Sequence, residues 1–473
     1  MKKLCEIVDC NLDIEITGIT ANSKQIKPGN LFVCIEGKTF DGHNFIDQAY
    51  KMGAKAVLVE KDVDTKGPFV KVANTKKALI NCCEKFYDNP ASNLKIIGVT
   101  GTDGKTTTST MIYQLLMSSV PTAYLGTNGC TFQDITVKTN NTTPIPEEFY
   151  PILSNLVNKG CKMLSMEVSS EAILAERVSK VDFEISVLTN ITEDHLNVHK
   201  TMENYVAMKA KLFEQTKSSG YCILNIDDPY YEYMKERSKG KVLTYGMNKN
   251  ANFSISKIKE EKDKTYFTLT FENKEYKIES PFLGKYNVYN LTAAIASCKM
   301  LGYSIEELLE KAKYLSCVLG RGERLSFGQE YTIILDYAHT ANAIKQILSS
   351  ITSSKKGKLI SVLGSAGGRE KEKRSKMGKE ALSLSDHVIF TMDDPRSEDV
   401  DQIINDMLKE TSLTNYERII DRKEAIYKAL SLAKKGDIVC ILGKGRDSYM
   451  ALKDGNVPYC DYDVIESYFK EEA

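Results

Sequence analysis

The residues best suited to chemistry lie in the run KIIGVTGTDGKTTTSTM at 95–111, an apolar stretch, a turn holding Gly101 and Gly104 after Gly98, and then Lys105 and Thr106. Glycines let backbone N–H groups close on phosphate oxygens with no Cβ in the way, and a helix beginning at the lysine adds its positive end. Lys105 is placed to neutralise β/γ-phosphate charge, and the Thr106 hydroxyl to ligate Mg²⁺. ATP with Mg²⁺ is the ligand such a loop implies. The strict G-x-x-x-x-G-K-[ST] pattern has glycine where Val99 stands here, so the match is to a variant of it. A strand before the turn and a helix after it argue against an empty glycine-rich turn.

Other candidates stand at strand ends. Glu167 closes the apolar run KMLSMEV, and ligands of open α/β sheets collect at that carboxyl end. Twelve cysteines are scattered with no C-x-x-C pair, often inside apolar runs such as LFVCI, and read as small reduced core residues. Of five histidines only His195 and His199 form a near pair, too few for a structural zinc. Lys209 in ENYVAMKAKLF reads on its own as a surface lysine.

The elements that must position these residues form three units. Residues 1–92 hold short strand signals (LFVCI, AVLVE), turns (KPGN, DGHN) and a helical run, KKALINCCEKFY. The DNPASN stretch at 88–93 reads as a linker. In 93–319 strands alternate with helices, which predicts a doubly wound, mostly parallel sheet around the phosphate loop, with 241–282 as an antiparallel appendage. Residues 320–473 alternate again (YTIILDYA, KLISVLGSAGG, HVIFTMDD, IVCILGKG) as a second, Rossmann-like α/β domain. The fold class is therefore α/β in three domains, with a small α/β domain at the N-terminus.

At 473 residues the chain is too long for one core, and 63 basic against 63 acidic residues give no cationic excess for binding a polyanion. Nucleic acid is not an expected partner. No apolar run approaches the ~20 residues that span a bilayer, and MKKLCEIVDC lacks the apolar core of a signal peptide. A cytoplasmic, monomeric protein without a membrane partner is expected.

The loop TGTDGKT resembles that of the Mur ligases, ATP-dependent amide-forming enzymes of peptidoglycan precursor synthesis. The resemblance extends in order through ITANSKQIKPGNLFVCIEGKTFDGHNF from 19, NNTTP at 140–144, MEVSS at 166–170, LTNITEDHLNVH at 188–199, GRGER at 320–324, DYAHT at 336–340, GGREKEKR at 367–374, DDPR at 393–396 and GKG at 443–445. Folylpolyglutamate synthetases are similar over the second and third units and leave the first unexplained. The resemblance implies a uridine-nucleotide-binding first domain, an ATP-binding central domain and an amino-acid-binding last domain. The implied substrates are a UDP-sugar dipeptide and a free diamino acid, joined through an acyl phosphate.

Residue by residue, the resemblance implies catalytic roles for Lys105, Glu167, His195 and Lys209. Thr106, Glu167, His195 and a carbamylated Lys209 would gather Mg²⁺. ATP would meet Gly101, Thr102, Gly104, Lys105, Thr106, Thr107, Asn287, Asn290, Arg321 and Asp336. Ser23, Thr142, Thr143, Ser169 and Arg177 fall at positions for the UDP-substrate, and Arg369, Asp394, Arg396, Gly443 and Asp447 at positions for the acceptor.

The departures are on the substrate side. Glu171 and Ala175 stand where the family commonly has His and Gln, Arg446 and Asp447 follow GKG in place of His and Glu, and Ala341 and Asn342 replace Pro and Asp. They leave open a paralogue joining a different amino acid to a different carboxylate, or a nucleotide binder without turnover. Asp394 stands where diaminopimelate-adding members carry Asn, while Arg396 is kept. A guanidinium suits the distal carboxylate of meso-diaminopimelate, which lysine lacks. Pairing of Asp394 with Arg396 would instead favour L-lysine, so meso-diaminopimelate is the first expectation and L-lysine the second.

Overall fold

The computed structural model describes residues 1–37, 40–261, 264–352 and 355–471, and holds sheets of four, eleven and six strands in chain order, with two further two-stranded sheets. Gly18–Thr20, Asn30–Val33, Ala56–Val59 and Phe69–Lys71 make a parallel four-stranded sheet near the N-terminus. The central sheet has eleven strands, in the order Ile135–Val137, Gly129–Phe132, Thr122–Gly126, Met163–Glu167, Lys95–Thr100, Phe183–Leu188, Thr216–Asn225, Lys241–Gly246, Phe253–Glu261, Lys264–Phe271 and Lys274–Ser280. From Thr122–Gly126 to Phe253–Glu261 they run parallel; the pairs at the two edges are antiparallel. After Lys95–Thr100 the chain builds first to one side of that strand and then, from Phe183, to the other. Such a reversal opens a crevice at the strand's carboxyl end, and the glycine turn lies there.

The third sheet runs Glu323–Leu325, Thr332–Asp336, Ile438–Leu442, Leu359–Leu363, His387–Phe390 and Tyr416–Arg418, parallel except for its first pair. Its four inner strands are apolar runs buried on both faces, one cluster holding Ile344, Leu348 and Met377 and the other Ile426, Leu430 and Ile465. Parallel strands covered by helices on both faces take this composition.

Two expectations change. The segment 241–282 is no appendage: Tyr245 pairs with Phe253 in parallel, and the hairpins that follow extend the central sheet. Alternation along these strands puts Phe253, Ile255, Phe267 and Leu269 into one core with Val99 and with Leu291 and Ile295 of helix Lys285–Met300. The second change is at 88–93, which is an ordered 3₁₀ turn over Pro90–Asn93 with Pro90 and Ala91 buried. A continuous apolar cluster crosses it, joining Leu31, Leu58, Leu79 and Cys83 to Ile96, Phe149, Tyr150 and Leu153. Helix Thr75–Phe86 packs on helix Pro146–Asn158 there.

Because that core is shared, removal of residues 1–92 is expected to lower the unfolding midpoint of the remainder and expose apolar surface to a hydrophobic dye. Phe149→Ala, at a fully buried position, is expected to cost about 3–5 kcal/mol. A truncated chain melting at the full-length temperature would show that the shared core contributes nothing.

Candidate active site

The glycine turn is shaped by close approach. Gly101 has φ +151°, and a Cβ there would come within 1.8 Å of Thr189 Oγ1. Gly104 has φ +83°, and its Cβ would meet Asn290 Oδ1 at 2.5 Å. Helix Lys105–Leu116 starts immediately after it. Only glycine combines these backbone angles with such tight neighbours.

Two lysines converge on this turn. Lys105 Nζ donates to Gly101 O at 3.0 Å and to Thr102 O at 2.8 Å, and Lys209 Nζ donates to the same Gly101 carbonyl at 2.7 Å. Lys209 is 1% exposed and lies over the Tyr205 ring at 4.5 Å. Burial first, and the neighbouring Lys105 charge next, hold its amine well below the usual lysine range. The isolated reading of Lys209 as a surface residue therefore fails: helix Met202–Glu214 buries Tyr205, Val206, Lys209 and Ala210 on one face.

Glu167 ends its strand 1% exposed, with both oxygens engaged. Oε1 accepts from Tyr124 Oη at 2.7 Å and Thr127 N at 2.8 Å, and Oε2 from Thr106 Oγ1 at 2.9 Å and Thr127 Oγ1 at 3.3 Å. Arg321 Nη2 reaches Thr106 Oγ1 at 3.0 Å from the third unit. A hydroxyl and a carboxylate side by side are hard oxygen donors of the kind Mg²⁺ takes. Among the described residues no group of three His, Cys, Asp or Glu side chains is close enough to hold a metal ion by itself.

A cavity of about 360 Å³ runs from this turn to the third sheet. It brings together Thr102, Gly104, Lys105, Thr106, Thr107, Glu167, His195, Lys209, Asn287, Asn290, Arg321 and Asp336. Thr142, Ser169 and Arg177 line its central-sheet side, and Arg369, Asp394, Arg396, Gly443 and Asp447 the opposite side. Asn290 accepts from Thr108 Oγ1 at 3.3 Å and donates to Asn287 Oδ1 at 3.2 Å, so the helix beginning at Lys285 is tied to the phosphate turn. Asp336 accepts from Gly322 N at 2.6 Å and Ala338 N at 2.7 Å, and burial raises its carboxyl above the usual range.

Three expected residues lie outside the cavity lining. Gly101 sits behind it, offering its carbonyl to both lysines. Thr143 is fully buried, its hydroxyl donating to Glu167 O at 2.9 Å and accepting from Ser169 N at 3.1 Å. Ser23 is buried in the first unit, beside the segment where Ala21 N donates to Glu147 Oε1 at 3.0 Å. His195 stands in a left-handed conformation, φ +57°, with Nδ1 3.3 Å from Glu171 and Nε2 3.4 Å from Asp194.

On the far wall Asp394 does not pair with Arg396. Asp394 Oδ1 accepts from Lys444 Nζ at 2.8 Å and from Ala451 N at 2.9 Å. Lys444, 1% exposed, also lies 3.6 Å from Asp447 and 3.9 Å from Asp393. Arg396 donates to the Gly367 carbonyl, and no carboxylate among the described residues is recorded as its partner. Asp394 and Arg396 flank Pro395 at φ +43° and +53°, both in the left-handed region.

Residues that sequence reasoning missed fall into two groups. Lys444 sat inside the GKG motif, which was its one signal; its acids come from other loops. A polar seam joins the two walls: Asp194 to Lys373 at 3.2 Å, Glu193 to Lys376 at 2.7 Å, Asn197 N to Glu370 Oε1 at 2.9 Å and Asp103 Oδ2 to Asn342 Nδ2 at 3.1 Å. These partners are 170 or more residues apart, beyond any local pattern. A second cavity of about 250 Å³ adjoins Tyr286, Asn287 and Arg321, with apolar walls from Phe282, Leu283, Cys317 and Ile347.

A phosphate turn on one sheet facing a buried acid and arginine cluster on another is the layout of an enzyme that spends a nucleotide to join two substrates. Family models match in chain order: the catalytic domain of the Mur ligase family at residues 15–89, the Mur ligase middle domain at 99–298, and the glutamate ligase domain of Mur ligases at 320–445. The UDP-N-acetylmuramoyl-L-alanyl-D-glutamate--2,6-diaminopimelate ligase 1 of Clostridium acetobutylicum is 37% identical over 472 residues, 98% of this chain and 97% of that protein. The ligase of the same name from Aquifex aeolicus is 38% identical over 455 residues, 95% of this chain and 93% of that one. A solved structure of a UDP-N-acetylmuramoyl-L-alanyl-D-glutamate--2,6-diaminopimelate ligase superposes with a TM-score of 0.68 at 28% identity, covering 100% and 99% of the two chains. The chain belongs to the Mur ligase family, and is an ATP-dependent, ADP-forming amide ligase.

Burial pushes the Asp447 carboxyl up to about 6 against the pull of Lys444. Its ionised form is thus disfavoured in the folded chain relative to the unfolded one, where it titrates near the ordinary value. Above pH 6 this costs stability, and the cost shrinks as pH falls through 6 and is gone only well below 4, where both states hold the proton. Asp447→Asn is expected to stabilise the protein by on the order of 2 kcal/mol at neutral pH and by nothing well below pH 4, read from denaturant midpoints at several pH values.

Proposed function

We propose that this chain adds a diamino acid, meso-diaminopimelate in preference to L-lysine, to UDP-N-acetylmuramoyl-L-alanyl-D-glutamate, with ATP going to ADP and phosphate, in peptidoglycan precursor synthesis. The observation that carries the acceptor is Arg396: among the described residues it lines the cavity with no carboxylate partner, while Asp394 is held by Lys444. A buried-side guanidinium facing a cavity calls for an anion, and the distal carboxylate of diaminopimelate supplies one.

A carboxylate is a poor electrophile at neutral pH. The γ-phosphoryl group is first transferred to the D-glutamyl side-chain carboxylate, giving an acyl phosphate. The acceptor amine, having lost its proton, attacks that carbonyl, and the tetrahedral adduct expels phosphate to leave the amide. Lys105 and Arg321 offset charge on the transferring group. Thr142, Ser169 and Arg177 hold the donor on the central-sheet wall, with Thr143 and Ser23 behind them. Arg369, Asp394, Arg396, Gly443 and Asp447 hold the acceptor opposite. Mg²⁺, when bound, neutralises phosphate charge, and Thr106, Glu167, His195 and Lys209 are the residues that would hold it. The apolar cavity beside Asn287 and Tyr286 suits the adenine ring. Bringing the two reactants together across one cavity is the main catalytic contribution.

Lys209 is taken to work as its carbamate. Its amine, held below the usual lysine range, reacts in its unprotonated form: Nζ bonds to the carbon of CO₂, one proton leaves to solvent, and a neutral amine becomes an anion with two oxygens. That exchange sets an anion beside Lys105 where two amines crowd the Gly101 carbonyl. A soluble nucleotide-sugar substrate fits a monomer acting in the cytoplasm.

Lys209→Ala is expected to lose nearly all activity and to regain part of it with a short-chain carboxylic acid. An active Lys209→Ala protein would remove the carbamate from the scheme.

Phosphate release with the UDP-sugar dipeptide is expected to be stimulated by meso-diaminopimelate far more than by L-lysine or L-ornithine. Arg396→Ala should lower kcat/KM for diaminopimelate by about 100-fold or more. A clear preference for lysine reverses the acceptor; indifference to all three points to a paralogue with another substrate.

A further inference from the structure

Behind the cavity, two loops from opposite ends of the third unit are locked together by a side chain that touches neither substrate site. Arg446 Nε donates to Glu323 Oε2 at 2.9 Å and Nη2 donates to Glu323 Oε1, a two-bond fork. The guanidinium carbon stacks 3.6 Å from the Tyr462 ring centre. Glu323 Oε2 also accepts from Gly320 N at 2.8 Å. The loop backbones touch: a Cβ on Gly320 would meet Arg446 N at 3.0 Å, and one on Gly445 would meet Gly320 O at 3.1 Å. Neither Arg446 nor Glu323 lines the cavity, yet Arg321, two residues from one, and Asp447, adjacent to the other, both do.

We infer that Arg446 is a positioning residue that ties the acceptor loop carrying Gly443 and Asp447 to the nucleotide loop carrying Arg321, so that the two substrates are held in register through one guanidinium. The inference rests on the assignment of ATP and amino acid to those loops. Its physical content is the fork: two parallel charge-assisted bonds fix both the distance and the plane of the partner, which a single-point contact does not. The Glu323 side chain is 7% exposed and Arg446 26%, so the pair is shielded from solvent competition. Histidine, common in the family at this position, is too short and has too few donors to make the same fork. Lysine keeps the charge and loses the planarity. One face of the guanidinium is covered by Tyr462 of the C-terminal helix Asp461–Glu471, which fixes the plane in which its edge meets Glu323.

The test is steady-state kinetics on the full chain for Arg446→Lys, Glu323→Gln and the double variant, with KM measured separately for ATP, amino acid and UDP-sugar dipeptide. Each single variant is expected to raise the first two KM values together by about tenfold and to leave the third within about twofold, and the double variant to be no worse than either single one. Loss of thermal stability with all three KM values unchanged would make the pair merely structural and overturn the inference. So would additive effects in which Glu323→Gln moves only ATP and Arg446→Lys only the amino acid. If the unaltered chain releases no phosphate with any diamino acid, the proposed function fails, not the tie. The tie is then read from calorimetric affinity for a non-hydrolysable ATP analogue with Mg²⁺, expected to weaken about tenfold in both single variants. Unchanged affinity overturns it.

Discussion

Two lysine amines share one backbone carbonyl at Gly101, and much of the central unit follows from that crowding. Like charges a few ångströms apart and out of water are stable only if one gives up its proton or an anion comes between them. Helix Met202–Glu214 holds Lys209 away from solvent while Lys105 faces the cavity, so the turn presents positive charge where a phosphate would sit. Glu167 supplies the opposing charge one strand away, and four donors spend its lone pairs so that it cannot simply swing across and cancel the lysines.

The second wall answers the first with a different economy of charge. Asp393, Asp394 and Asp447 surround Lys444, leaving a net negative patch, while Arg369 and Arg396 stand apart from it. A molecule with an ammonium and a carboxylate on one carbon matches that division. Contacts between Glu193 to Asn197 and Glu370 to Lys376 bring the walls together, so the cavity between them is closed at this side by polar bonds.

The phosphate turn was legible in the sequence because its chemistry is local: strand, glycines, Lys105 and Thr106 occupy consecutive positions. The alternation of strands and helices gave the α/β class for the same reason. Arg321 and Asn290 came through the family resemblance, since nothing local distinguishes them. The segment 88–93 was misread because Asn, Pro and Ser favour a turn whether or not the turn is buried, and burial here is decided by Phe149 and Leu153 far along the chain. Local pattern also reads 241–282 as short β runs, while their place in the central sheet depends on two parallel pairings, Tyr221–Asn225 with Lys241–Tyr245 and Tyr245 with Phe253. Whether Asp394 would meet Arg396 or Lys444 could not be read from DDPR and GKG, which lie about fifty residues apart and touch only in the fold.

The left-handed pair around Pro395 bears on how such a protein changes over evolutionary time. Asp394 and Arg396 hold backbone angles that non-glycine residues adopt at a cost, and a proline between them removes the remaining freedom. A loop with that shape has few neighbouring conformations to drift into. Descendants of this chain would therefore find it easier to acquire a new substrate preference by exchanging side chains on an unchanged backbone than by remodelling the loop, and lineages with different acceptors should be superposable there while differing in the residues displayed.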